Sequence, residues 1–219
     1  MNEVKHLTFP KILLFSCHKA EAHPNPLKDY LLYLKFQGMR GVIDFSYSHA
    51  TDSLHSSLSI KENFVLEAVP ISLIKNSENN LNELLSSQRN PYLIELIAGL
   101  GCLNRSVKSL NFSEVKLVTL VKAILSKSEY VFLLNPEIEL HIDHVKLIKE
   151  CIFHEAINSS RKFFISPSNQ DSWVDISTHY VNKCSSTGVY LSTKNELNTK
   201  LNQLDFSKPY QFKLLKQAS

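Results

Sequence analysis

Two kinds of hydrophobic pattern alternate along this chain. Short, nearly unbroken apolar runs at residues 11–16 (KILLFS), 130–134 (YVFLL) and 162–166 (KFFIS) are bounded by polar or turn-forming residues. Runs this short without polar alternation read as strands covered on both faces, as in a parallel sheet. Residues 41–47 (GVIDFSY) alternate and add another strand, and residues 179–182 and 189–191 predict a short terminal pair. Between these runs the spacing is helical. An amphipathic helix is expected over 29–36, and another from about residue 58, where Ser59 and Glu62 have the spacing of a capping box. Residues 69–108 predict an interrupted helical block, with Pro91 at one helix start and Gly99 and Gly101 at its end. Helices over 143–155, with Val145, Ile148 and Ile152 inward and Leu147 beside them, and over 193–204 complete the pattern.

The stretch 110–136 (LNFSEVKLVTLVKAILSKSEYVFLLNP) organises the rest. A polar turn at Asn111, Phe112, Ser113 and Glu114 opens a helix. Val115, Val118, Leu120, Val121, Ile124 and Leu125 form its apolar face. A short connection leads into the apolar run at 130–134, which ends at Asn135-Pro136-Glu137. A helix feeding a buried strand is an α/β unit, and such sheets bind ligands beyond the carboxyl ends of their strands.

Composition narrows the function classes. The 219 residues are 43% hydrophobic and 21% charged, ordinary for a folded chain. The net charge of +3 comes from dispersed Lys and Arg, which argues against a nucleic-acid surface. No apolar stretch is long enough to span a bilayer. Cys17, Cys102, Cys151 and Cys184 lie far apart, as expected of reduced thiols in a cytoplasmic protein. Only five glycines are present, which bears on phosphate binding.

The spacing of these blocks resembles the nucleotide-binding domain of ABC ATPases. In that family a signature, LSGGQ or LSGGE, opens a helix reading roughly RVxLARAL. A few residues later come four apolar residues and D-E-P-T-S-x-L-D. Here Leu110, Asn111, Phe112, Ser113 and Glu114 stand at the signature, and residues 134–141 (LNPEIELH) overlay the acidic motif without a gap. Residues 57–64 (SLSIKENF) resemble the segment past the family's glutamine loop, and 163–168 (FFISPS) resemble the strand carrying its switch histidine. The resemblance covers about residues 11–191 and rests on pattern more than on identities. It implies a P-loop NTPase-like α/β core, its sheet flanked by helices. It further implies an all-helical subdomain inserted at about 64–115, a reduced N-terminal β-subdomain, and one domain over 1–219.

The family's chemistry needs residues that are missing at these positions. After the first strand the sequence offers CHKAEAHPNP (17–26), with no glycine and no GK[ST] to cradle phosphate. Leu134 stands where the family's metal-binding Asp belongs, Asn135 where its general base belongs, and Pro167 where its switch histidine belongs. Phe112 and Ser113 replace the signature glycines, and no Gln lies near Ser48, His49 and Ala50. Leu110, Asn111, Phe112, Ser113, Glu114, Leu134, Asn135 and Pro167 are therefore degenerate motif positions under this resemblance. No catalytic, cofactor-binding or metal-binding residue is expected, and no cofactor. The expectation is a pseudo-ATPase that pairs with an active ABC ATPase, a permease or itself, peripheral to a membrane through a permease. The alternatives are a nucleotide- or anion-sensing domain that does not hydrolyse, and a divergent ATPase.

Other clusters favour structural roles. His141, His144, Cys151 and His154 surround one helix without a typical zinc spacing, so a solvated face with an incidental thiol is preferred to a metal site. Cys17, His18 and His23 lack a nucleophile motif. Lys19, Lys28 and Arg40 read as a solvated rim. Asp175 and His179 read as loop-holding residues, and Trp173 as core or interface.

Overall fold

The computed structural model describes residues 11–15, 26–36, 44–48, 54–68, 77–185 and 188–193. One sheet has the strand order β2-β3-β4-β1-β5-β6. Strands β1 (Ile12–Phe15), β2 (Phe45–Ser48), β3 (Tyr130–Leu134), β4 (Lys162–Ser166) and β5 (His179–Ser185) are parallel. Strand β6 (Gly188–Thr193) returns antiparallel beside β5, the terminal pair that the sequence predicts.

The apolar runs are explained by two cores, one on each face. Ile12, Leu14, Val131, Leu133, Phe163 and Ile165 join one core, and Leu13, Phe15, Tyr130, Phe132 and Phe164 join the other. Successive strand residues point to opposite faces, so a strand covered on both sides favours apolar residues at every position. Helix α1 (Pro26–Phe36) covers the second face, where the Tyr30 ring stacks on Phe132 with centroids 4.6 Å apart. Helices α2 (Ile60–Ala68), α3 (Ser77–Ser87), α4 (Pro91–Gly99), α5 (Phe112–Leu125) and α6 (Ile142–Asn158) contribute to the first.

Local signals start these helices where the sequence places them. Ser59 and Glu62 satisfy each other's backbone N–H groups ahead of α2, as a capping box should. Pro91 is the first residue of α4, and Gly101 beyond its end has φ +69°, a left-handed conformation that suits glycine. Helix α1 starts at Pro26, earlier than the expected residue 29. Thr193 closes β6 and does not open a helix, and residues 194–204 lie outside the described residues, as do 41–43 of the strand expected over 41–47.

Helix α5 departs from the amphipathic expectation. Every residue from Lys116 to Leu125 is buried, polar ones included. The helix packs on β2 and β3 on one side and on α2 and α4 on the other, so no side faces water. Its carboxyl end is held by Arg161, which donates to the carbonyls of Ile124 (2.6 Å), Ala123 (3.3 Å) and Ser128 (3.1 Å). The guanidinium thus serves carbonyls that α5 cannot satisfy itself and places positive charge at the negative end of its dipole.

Asn90 ties α4 to α6. Its side-chain oxygen accepts from the Leu93 N–H (3.3 Å), while its amide donates to the Cys151 carbonyl (2.9 Å) and to Glu155 Oε1 (3.0 Å). Glu155 in turn lies 3.4 Å from Arg161. Asn90→Ala removes a helix cap and leaves buried partners unsatisfied, and is expected to lower unfolding free energy by about 2–4 kcal/mol. Urea unfolding monitored by far-UV circular dichroism measures it, and a loss under about 0.5 kcal/mol would show that these bonds carry no net stability.

Candidate functional site at the carboxyl edge of the sheet

All five parallel strands end on one edge, and two of them there send the chain to opposite faces. Helix α1 follows β1 on one face, and α6 follows β3 on the other. The crevice between such strands is where an open α/β sheet takes a ligand. The turns after β3 and β4 are described. The stretch after β1, where the resemblance puts the family's phosphate loop, and His49 and Ala50 after β2 lie outside the described residues. Ser48 is the buried last residue of β2.

Strands β3 and β4 are in register to their ends, with Leu134 opposite Ser166. Beyond them, Asn135 has φ +44° and its N–H donates to the Ser166 carbonyl at 2.7 Å. Asn is among the few residues that accept this left-handed conformation readily. The chain then turns sharply, with the Ile138 N–H on the Asn135 carbonyl and the Leu140 N–H on the Glu137 carbonyl. Pro136 and Pro167 are both buried at this edge.

Two side chains bond to these turns. The Glu137 carboxylate accepts from the Ser168 N–H (2.6 Å), the Ser168 hydroxyl (2.6 Å), the Asn169 N–H (2.8 Å) and the indole N–H of fully buried Trp173 (3.2 Å). One carboxylate thus clasps the turn after β3 to the turn after β4. Lys149 Nζ lies over the indole ring, 5.8 Å from its centroid, and pairs with Asp175 at 2.9 Å. Lys116, 3% exposed, reaches from α5 to the Leu134 carbonyl at 3.0 Å. Burial pushes its ammonium pKa down, and the nearby Glu137 and Glu139 oppose that shift.

The residues at 110–114 form a helix start. Leu110 follows the short turn Val107–Ser109 and packs partly buried against the core. Asn111 caps α5, its side chain accepting from the Glu114 N–H at 2.9 Å while Glu114 accepts from the Asn111 N–H at 2.9 Å. Glu114 also binds Arg105 through two hydrogen bonds, 2.7 and 3.1 Å. Arg105, with the Asn111 N–H, holds the Glu114 pKa below the usual carboxylate range. Ser113 is half-buried, whereas Phe112 is 73% exposed.

The structure brings Leu134, Asn135 and Pro167 together at one edge, next to Lys116, Glu137 and Trp173. The roles of Lys116 and Glu137 are absent from the sequence-based reading. A signal for the first existed, since Lys116 lies four residues before Leu120 on the same buried stripe. His141 caps α6, His154 stacks edge-on against Tyr92, and Cys151 is fully buried against Asn90. Among the described residues no three His, Cys, Asp or Glu side chains are placed to hold one metal. Desolvation pushes the pKa of the fully buried Cys151 thiol far above its ordinary range.

Replacing Glu137 by Ala strips four donors of their acceptor and is expected to cost about 2–4 kcal/mol of stability, with a red-shifted Trp173 emission in the folded state. Unchanged melting and emission would show that the clasp is dispensable. A second outcome follows from Glu114. Its folded pKa lies below the unfolded value, so its pairing stabilises above about pH 4.3 and that gain is lost as pH falls through the folded pKa. The melting-temperature gap between wild type and Arg105→Met should therefore be present at neutral pH and narrow as pH falls below about 4.3. A gap that did not narrow on acidification would assign Arg105 to packing.

No protein-family model matches the sequence, and no curated protein matches it significantly. Solved structures do match. An ATP-binding subunit of an ABC transporter superimposes with a TM-score of 0.65 at 14% identity, over 88% of this chain and 82% of that one. A dimeric ATP-binding cassette in a post-hydrolysis state with ADP and Pi gives 0.60 at 10% identity, over 84% and 85%. The archaeal ribosome recycling factor aABCE1 gives 0.58 at 11% identity, over 88% of this chain but 37% of that longer one. Identities this low establish the fold alone, and the fold is that of the ABC-type ATPases.

Proposed function

We propose that this chain is a catalytically inactive ABC ATPase-type domain, a pseudo-ATPase that serves as a structural or regulatory subunit. What supports this reading is that, at the described turns after β3 and β4, the donors bond to the chain's own groups. Phosphoryl transfer needs a metal ion on the phosphates, a group to orient or deprotonate the nucleophile, and donors aimed at the transferred phosphoryl. Here Leu134 offers no metal ligand and the Asn135 amide no proton acceptor. The donors at the β4 turn are spent on Glu137, and Lys116 is spent on the Leu134 carbonyl. The positions that would carry catalysis carry structure in its place.

In this reading the whole chain is one domain with its helical subdomain at about 64–115, and no cofactor takes part. The partner is a protein: an active ABC ATPase, a membrane permease or a second copy of this chain. Among the described residues no helix is long and apolar enough to cross a membrane, so a membrane would be reached through a permease.

Isothermal titration of the purified chain with ATP and Mg²⁺ is expected to give no binding heat, and a coupled assay no turnover. Binding without turnover would replace this reading with a nucleotide-sensing one, and turnover would overturn both. Leu134→Asp with Asn135→Glu is expected to leave ATPase activity at background, because a carboxylate pair cannot supply the missing phosphate cradle. Hydrolysis by that double variant would contradict the proposal.

A further inference from the structure

Helices α4 and α6 lie side by side and leave a groove of about 400 Å³ between them, lined by Glu95, Leu96, Gly99, Asp143, His144, Lys146, Leu147 and Glu150. The lining residues recur at helical spacing on both walls, Glu95 and Gly99 on α4 and Asp143, Lys146, Leu147 and Glu150 on α6. Residues 143–150 span about 10 Å along the α6 axis, roughly two turns of a facing helix.

The chemistry of the walls selects the occupant. Leu96 is buried and Leu147 partly so, which gives an apolar floor. A Cβ placed on Gly99 would meet nothing within 4 Å, so the α4 wall is open to close approach. On the rim, Asp143 and Lys146 pair with each other at 3.6 Å, while Glu95 and Glu150 are exposed and have no ionic partner among the described residues. The groove therefore carries excess negative charge on a chain whose net charge is +3. His144 adds a buried Nδ1 with no hydrogen-bond partner among the described residues.

We infer that this groove is a docking site for an amphipathic helix of a partner protein, one that lays an apolar stripe on Leu96 and Leu147 and sets Lys or Arg against Glu95 and Glu150. Two ridges flanking an apolar floor accept a third helix, and the unpaired carboxylates select a cationic one. The surface does not involve the strand-end crevice, so the inference stands or falls independently of whether the chain binds ATP.

The test uses the full chain and a labelled helical peptide of about four turns, with Leu on one face and Lys along its flanks. A counterpart carries Glu in place of Lys. Fluorescence anisotropy is expected to give saturable binding of the Lys peptide and little of the Glu peptide. In Glu95→Lys with Glu150→Lys the preference should invert, with the Lys peptide weakened at least about tenfold. Gly99→Leu fills the open wall and should weaken binding without changing the preference. Far-UV circular dichroism and a thermal melt verify that each variant is folded. Lys-peptide affinity unchanged within about twofold in both variants, or no binding to wild type, would overturn the inference. A Lys peptide weakened by charge reversal but indifferent to Gly99→Leu would also count against it, since that is diffuse surface attraction and not seating in the groove.

Discussion

The burial of α5 on every side from Lys116 to Leu125 is the constraint from which the rest of this structure follows. A helix enclosed over that length cannot leave its polar side chains or its last carbonyls to water. Each must find a partner inside the protein, and those partners fix the neighbouring elements. At the amino end, Asn111 and Glu114 close a capping box and Glu114 reaches out to Arg105. One turn later Lys116 bonds to the end of β3. At the carboxyl end Arg161, at the start of β4, takes the last carbonyls. The helix thus ties two adjacent strands at opposite ends of the sheet, and Arg161 extends the tie through Glu155 and Asn90 to α6 and α4.

The carboxyl edge of β3 and β4 is the second such junction. A crevice where strand connections diverge presents backbone N–H groups in turns, and these want an acceptor. In this chain Glu137 accepts from two backbone N–H groups, a hydroxyl and an indole at once. The same donors cannot hold a phosphoryl group and a carboxylate together. This physical competition is the reason for reading the edge as structural.

Much of the fold was legible in the sequence because burial leaves a period. The runs at 12–15, 130–134 and 162–166 had no polar alternation because each strand feeds two cores. Ser59 with Glu62 and Pro91 marked helix starts through local backbone chemistry that tertiary packing did not override. Of the helix expected over 193–204 only the first residue is described, and Thr193 pairs with His179 as the end of β6. Part of the site was legible too. Leu134, Asn135 and Pro167 do meet at one edge, as the order of buried strands required.

By itself the sequence determined the two-sided strands, the helix caps and the absence of a glycine-rich stretch after the first strand, since each is written in neighbouring residue types and their spacing. The tertiary structure alone decided that α5 would be enclosed on all sides, that Lys116 and Arg161 would serve its ends, and that Glu137 would cross to Ser168, Asn169 and Trp173. Those contacts join groups more than a helix turn apart, several across more than thirty residues. They depend on which elements lie side by side, and no local propensity encodes that.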